Sequence, residues 1–296
     1  MFDKKRQRQY LKKLDTRGVF YNTTQSAVAQ TEVANAVRRH FQEENGKIKK
    51  ALLLGFDGMR ADGVQLLCAS TSAAVSGHLF STAYSAVNAL RDAGGLYLSY
   101  AGGPADNPQE TSTAQGWAAI LTGVWGDENG VKLHKPLHRD CPTVLRELAE
   151  QGRTAAFLAE WPDHFNITYK PEIEIAKEKD LPLSFQKCEN DCALAKSFAA
   201  EIRKGTDCIF GIFEAPDANG HATGFANENP RYASCICRLD NVAYKLMEQI
   251  KERPTYPQED WLVLLTSDHG GHARGHGTQK AEDRMTFLAT NKELLL

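Results

Sequence analysis

Near the C-terminal end, Ser267-Asp268-His269-Gly270-Gly271 is followed by Gly275-His276-Gly277. A carboxylate and two imidazoles this close together are the oxygen and nitrogen donors that a zinc-type ion takes. Two other stretches carry the same donor types. Ala51-Leu52-Leu53-Leu54-Gly55-Phe56 runs into Asp57-Gly58, and Cys208-Ile209-Phe210-Gly211-Ile212-Phe213 leads through Glu214-Ala215-Pro216 to Asp217 and His221. Asp57, Asp217, His221, Asp268, His269 and His276 suffice for two metals with three protein ligands each, leaving positions open for a substrate. Plainer readings exist for the separate fragments. Asp57-Gly58 is a common turn pair, and Asp217 with Asn219-Gly220 makes an equally good turn. Asp268-His269-Gly270-Gly271 is harder to reduce to a turn, because a turn needs no imidazole. Of His272 and His276, one is expected as a ligand and the other as a supporting or surface residue.

These donors need a scaffold that gathers them. The runs at 51–56, 208–213 and 261–266 are apolar on both faces and short, as buried parallel strands are. Further strands are expected at 96–100, 154–159 and 285–289. Helices are expected at 79–93, 142–150, 191–204 and 230–252, so strands and helices alternate. The fold class is therefore α/β, a mostly parallel central sheet with helices on both faces. In such sheets, sites collect at the carboxyl ends of the strands, where all six donors fall. A polar loop at 104–116 runs into the small-residue helix ending at Thr122-Gly123. Thr113 is thus expected at or just before a helix N-terminus, where free N–H groups favour an anion. Residues 1–46 read as an N-terminal helical extension, with Asn22-Thr23-Thr24 as a cap and Val28, Val33, Ala34, Val37 and Phe41 at helical spacing. Residues 47–296 read as the catalytic domain. Within it, 161–190 holds Pro162 and Pro171 without a clear period, and is expected as an insertion or lid near the site.

The chain has 296 residues, 42% hydrophobic and 24% charged, with a formal charge of -2. No global basic field points to a nucleic-acid polymer as partner. The basic start, Met1 to Arg8, is followed by no apolar signal core, and no stretch reaches membrane-spanning length. A cytoplasmic location is expected, and with it free thiols for the seven cysteines.

Taken in order, Phe56-Asp57-Gly58, Thr113 to Leu121-Thr122-Gly123, Pro216-Asp217 to His221, Ser267-Asp268-His269-Gly270 and Gly275-His276-Gly277 resemble the alkaline phosphatase superfamily. Within it, the chain is most similar to the type I phosphodiesterase/nucleotide pyrophosphatase branch, over roughly residues 50–290. The resemblance implies an alkaline-phosphatase-like fold and two divalent ions, zinc by family habit, with manganese compatible with the same ligands. It places Asp57, Asp268 and His269 on one ion and Asp217, His221 and His276 on the other. Thr113 matches the nucleophile, itself touching a metal and forming a phosphothreonine. It further implies hydrolysis of phosphate diesters or nucleotide pyrophosphates, hence a small phosphorylated substrate. A sulfatase would need Cys or Ser in a Cys/Ser-x-Pro-x-Arg context, and here the run is Thr113-Ala114-Gln115-Gly116-Trp117. Where the branch carries Pro-Asn-His, this chain has Gln115-Gly116-Trp117. Where it carries a phosphoryl-binding Asn, this chain has Asn129-Gly130-Val131-Lys132-Leu133-His134, so His134 or Lys132 stands near that position. A cation there would also suit a dianionic phosphate, which keeps a phosphomonoesterase or phosphonate hydrolase as the alternative.

Overall fold

Side chains alternate along the central strand, so its two faces feed two cores. Leu52, Leu54 and Phe56 face one core with Leu90, Phe198, Ile236 and Leu246. Ala51 and Leu53 face the other with Val33, Val37, Trp117, Leu121 and Leu148. A strand buried on both faces belongs inside a sheet that helices cover on both sides.

The computed structural model describes residues 27–68, 73–75, 78–80, 84–132 and 135–294, together with 5, 9, 10 and 19–21. Its strands are β1 (Val28–Ala29), β2 (Ile48–Phe56), β3 (Ala73–Val75), β4 (His78–Phe80), β5 (Gly95–Tyr100), β6 (Ala155–Ala159), β7 (Leu183–Lys187), β8 (Cys208–Phe213), β9 (Glu259–Thr266) and β10 (Met285–Thr290). β3 and β4 pair with each other, and the rest form one sheet in the order β1-β5-β10-β9-β2-β8-β6-β7. β10 is antiparallel to both of its neighbours. The other ladders are parallel. The helices Ala86–Ala93, Asp191–Lys204 and Pro230–Lys251 cover the first core, and Glu32–Gln42, Thr113–Thr122 and Val144–Glu150 cover the second. The expected α/β architecture is thus the one observed.

Register sets up the site. Gly55 pairs with Thr266 and Phe56 with Phe213. The carboxyl ends of β9, β2 and β8 therefore lie level and adjacent. Whatever follows them, Ser267 onward, Asp57 onward and Glu214 onward, emerges at one rim.

Three local expectations differ from the structure. Residues 161–190 are regular: a π-turn at His164–Thr168, the helix Lys170–Glu178, then β7 on the sheet edge. β7 escapes a period-based reading because an edge strand is only half covered, and in Leu183–Lys187 only Leu183 is buried. The helix placed at 79–93 starts at Ala86, with Ser85 accepting the Asn88 N–H as its cap. The N-terminal helix runs from Glu32 to Gln42, and β1 before it pairs with β5 at the sheet edge. The cap expected at Asn22-Thr23-Thr24 lies outside the described residues.

Candidate active site

At that rim, two groups of three donors form. In the first, the ligand atoms of Asp57, Asp268 and His269 all lie within 4.8 Å of one another. His269 Nε2 is 3.3 Å from Asp268 Oδ2 and 3.6 Å from Asp57 Oδ1. In the second, Asp217, His221 and His276 meet the same limit. His221 Nε2 is 3.3 Å from Asp217 Oδ2, and His276 Nε2 is 3.7 Å from Asp217 Oδ1. Asp217 and His221 come from one helix, Ala215–Thr223, rather than from a turn. Positions four apart share a helix face, which is why both reach one point. The groups touch through His269 and His276, whose rings stack at 3.9 Å.

Each imidazole is tethered in the same way. His221 Nδ1 lies 3.0 Å from the Arg274 carbonyl, His269 Nδ1 2.8 Å from the Gly270 carbonyl, and His276 Nδ1 2.8 Å from the Thr111 carbonyl. A carbonyl can only accept, so each Nδ1 donates to it, and in the neutral imidazole Nε2 then carries the free lone pair. Those lone pairs point at carboxylates and, for His221 and His276, at each other across 3.1 Å. Asp57 Oδ1, Asp217 Oδ1 and Asp268 Oδ2 are buried without a hydrogen-bond partner. Carboxylate oxygens and Nε2 atoms thus face one another in both groups, an arrangement that costs free energy unless a proton or a cation sits between them. The donor set, carboxylate oxygen with Nε2, fits a zinc-type ion in each group.

Electrostatics point the same way. Burial lifts the Asp57 carboxyl well above its ordinary value, and Asp268 and Asp217 add to the rise. Asp268 is also held well above it, chiefly by burial. Asp217 is raised by burial, against the opposing pull of His276 and His221. Burial pushes His269 well below its ordinary value, assisted by His276. A bound divalent ion inverts that logic by favouring charged carboxylates and neutral imidazoles.

Thr113 opens the helix Thr113–Thr122, whose first internal acceptor is the Ser112 carbonyl bonded by Gly116 N–H. Its Oγ1 lies 3.3 Å from His269 Nε2, at the first donor group. The N–H groups of such a first turn have no partner inside the helix and can receive an anion. Two close approaches hold the parts together. Gly58 has φ +68°, and a Cβ there would lie 2.7 Å from Asp217 Oδ1. Trp117 Nε1 donates to Asp57 Oδ2 at 3.0 Å, and Gly58 N–H donates to Asp268 Oδ1 at 3.2 Å.

The sequence profile of the type I phosphodiesterase / nucleotide pyrophosphatase family matches residues 117–288 of this chain. The chain belongs to that family. Thr113 and Asp57 lie upstream of the matched segment. No curated protein sequence matches the chain significantly. Among solved structures, it is similar to a 2-O GAG sulfatase, at 10% identity and TM-score 0.58, over 84% of this chain and 66% of that one. It is also similar to the phosphonate monoester hydrolase of Agrobacterium radiobacter, at 12% identity and TM-score 0.58, over 82% and 68%. A murine ectonucleotide pyrophosphatase / phosphodiesterase 5 matches at 15% identity and TM-score 0.48, over 75% of this chain and 57% of that one. The chain thus spans about two thirds of the length of the sulfatase and less of the murine protein. The first two likenesses are of fold, which is alkaline-phosphatase-like.

Other residues of this family member fall into place around the site. An open cavity of about 430 Å³ is lined by Asp57, Thr113, Asp217, His221 and His276, and also by Glu110, Trp161 and Glu214. The last three carry no readable spacing, because separate loops bring them together. Trp161 lies within the stretch expected near the site. Glu214 Oε1 accepts the N–H groups of Glu160 and Trp161, and burial raises its carboxyl to about 7. Lys132 is exposed and does not line the cavity, while His134 lies outside the described residues. Asn129 is fully buried and spends its side chain on Val124 O and Val131 N–H. His272 bonds Asp283 at 2.6 Å, which leaves His276 as the imidazole in the donor group. A third donor group, His40, Glu43 and Asp260, differs in kind: Lys49 and Lys292 already neutralise its carboxylates. Among the described residues, no helix is long and apolar enough to cross a membrane.

Proposed function

We propose that the chain is a two-metal hydrolase of phosphate diesters that works through a phosphothreonine on Thr113. The observation that carries this reading is the pair of donor groups whose buried carboxylate oxygens and bare Nε2 atoms face one another beside the Thr113 hydroxyl. Asp57, Asp268 and His269 would hold one ion, and Asp217, His221 and His276 the other, with zinc the better fit and manganese compatible. When bound, the ions would lower the pKa of the Thr113 hydroxyl and neutralise the phosphoryl oxygens.

Thr113 Oγ would attack phosphorus in line, forming a Thr113–O–P bond as one alcohol leaves. Water would then cleave that bond, releasing a phosphomonoester and restoring the hydroxyl. The open N–H groups of the first helical turn would orient the phosphoryl oxygens. Trp117 and the Gly58 N–H would fix Asp57 and Asp268, and the three backbone carbonyls would fix the imidazoles. Because Lys132 stands outside the cavity, the described lining offers no ammonium for a second phosphate charge, which favours a diester over a monoester.

The test is a panel of bis-p-nitrophenyl phosphate, thymidine monophosphate p-nitrophenyl ester and p-nitrophenyl phosphate, with zinc or manganese. Turnover of the diesters above the monoester is expected, lost in Thr113→Ala. Faster monoester turnover would establish the phosphomonoesterase alternative, and inertness of the folded protein toward all three would overturn the assignment.

A further inference from the structure

Phe225 belongs to neither donor group, yet it packs against the chain of both. It follows the helix Ala215–Thr223 that carries Asp217 and His221, and it is 1% exposed. Its ring stands nearly perpendicular to the imidazoles of His221 and His276, with centroids 5.4 Å and 6.3 Å away. The same ring fills the gap between two backbones. A Cβ on Gly271 would lie 2.5 Å from Phe225 Cγ, and a Cβ on Gly220 would overlap the other side of the ring. Neither glycine has a positive φ, so the ring itself is what excludes a side chain there. Gly220 precedes His221 in the second group, and Gly271 lies two residues after His269 in the first. Phe225 is thus a wedge between the two.

Its backbone is tied from several directions. The Phe225 N–H donates to the Ala273 carbonyl at 2.8 Å, and the next carbonyl, that of Arg274, holds His221 Nδ1 at 3.0 Å. The Phe225 carbonyl accepts from Arg60 Nη1, while Arg60 Nε and Nη2 donate to Asp62 at 2.9 Å and 2.6 Å. The Arg60 N–H reaches the Tyr232 hydroxyl at 3.0 Å, and that hydroxyl donates to the Gly58 carbonyl, beside Asp57, at 2.8 Å. The segments that follow β2, β8 and β9 therefore meet at this residue. The dependence is unequal, however. Asp57, Asp268 and His269 are fixed by Trp117, the Gly58 N–H and the Gly270 carbonyl, and none of those bonds passes through the ring. His221 and His276 touch the ring directly. Emptying its space would leave a cavity into which they can tilt.

Resting on the two-metal reading above, we infer that Phe225 is the positioning residue of the second donor group. It sets the tilt of His221 and His276 and the distance of their ion from the first, and Arg60 is the tether that holds it in place.

The experiment measures zinc affinity by calorimetry against a competing chelator, in two backgrounds of the full chain. Asp268→Asn leaves the second ion to be read, and Asp217→Asn leaves the first. In the Asp268→Asn background, Phe225→Ala should weaken zinc by about ten-fold or more, and in the Asp217→Asn background by less than about two-fold. Arg60→Gln should weaken the second ion in the same direction by a smaller factor. Phe225→Leu refills part of the gap and should recover most of the loss. Leu246→Ala, a truncation elsewhere in the same core, should leave both affinities unmoved. Equal losses on the two ions, a loss matched by Leu246→Ala, or no loss in Phe225→Ala and Arg60→Gln alike would overturn the inference while leaving the two-metal reading standing. A parent chain that takes up fewer than two zinc ions would overturn both.

Discussion

Replacing Gly116 by alanine should remove most turnover while leaving the chain folded. Gly116 lies one turn along the helix that starts at Thr113. A Cβ at Gly116 would sit 2.7 Å from the Asp268 carbonyl oxygen and 2.8 Å from Asp268 Cβ. Ordinary contact begins at 3.4 Å, so the helix and the end of β9 must part by about 0.7 Å. Neither obstructing atom is the far end of a flexible side chain, and the Asp268 carboxylate is further tied to Gly58 N–H. Two effects on stability oppose each other. Alanine favours a helix over glycine by ~1 kcal/mol. Overpacking a filled core costs ~1–3 kcal/mol. The net loss should be about 1 kcal/mol, a drop of a few degrees in thermal midpoint for a chain of this size. Activity has no such compensation, because the shift separates Thr113 from a residue assigned to the metal beside it. A misplacement near 1 Å costs on the order of 100-fold, so a loss of roughly 10- to 100-fold in kcat/KM is expected. The assay is bis-p-nitrophenyl phosphate turnover with zinc, beside thermal unfolding of the same preparation. Full turnover in a Gly116→Ala protein of unchanged stability would refute the reasoning that this contact sets the distance between Thr113 and the metal donors.

Three further perturbations bear on the same account. Trp117→Phe removes the donor to Asp57 Oδ2, and metal affinity should fall about 10- to 100-fold in a zinc titration, whereas unchanged affinity would contradict the role given to that bond. Removing metal with a chelator near pH 8 should lower the thermal midpoint by several degrees and zinc should restore it, since the buried carboxylates of Asp57 and Asp268 then lack a counterion; an unmoved midpoint would count against both donor groups. Asp240, buried on the helix Pro230–Lys251, accepts the Val87 N–H at 2.9 Å, and burial raises its carboxyl to about 7. The folded state therefore holds this proton more tightly than the unfolded chain does, so the contribution is complete below about pH 4 and is lost as pH rises toward 7. Asp240→Asn should flatten that decline in urea midpoints and leave the protein more stable than the parent at pH 8, and an unaltered pH slope would show that another group dominates.

Much of the architecture was legible because the site and the sheet share one cause. A parallel strand buried on both faces must be apolar throughout, so Leu52 to Phe56, Cys208 to Phe213 and Leu262 to Thr266 stand out, and the polar residues that end them stand out equally. The six donors follow directly from those strand ends. What stayed hidden has less pattern to show. β1 is two residues long, and β7 is an edge strand with one buried residue. Asp217 and His221 looked like turn residues because Asn219-Gly220 sits between them, yet Pro216 in the first turn begins a helix there. Glu110, Trp161 and Glu214 reach the cavity from three loops, and no spacing relates them. Lys132 drew attention by its place in the chain, but it is exposed and does not line the cavity.

The central claim is that two ions are held separately, His269 on one and His276 on the other, although the two rings stack at 3.9 Å. Anomalous diffraction from zinc-soaked crystals tests it most directly. The account predicts two peaks, one about 2.0–2.2 Å from His269 Nε2 and the carboxylates of Asp57 and Asp268, the other at like distances from His221 Nε2, His276 Nε2 and Asp217. A single peak shared by His269 and His276 would contradict it.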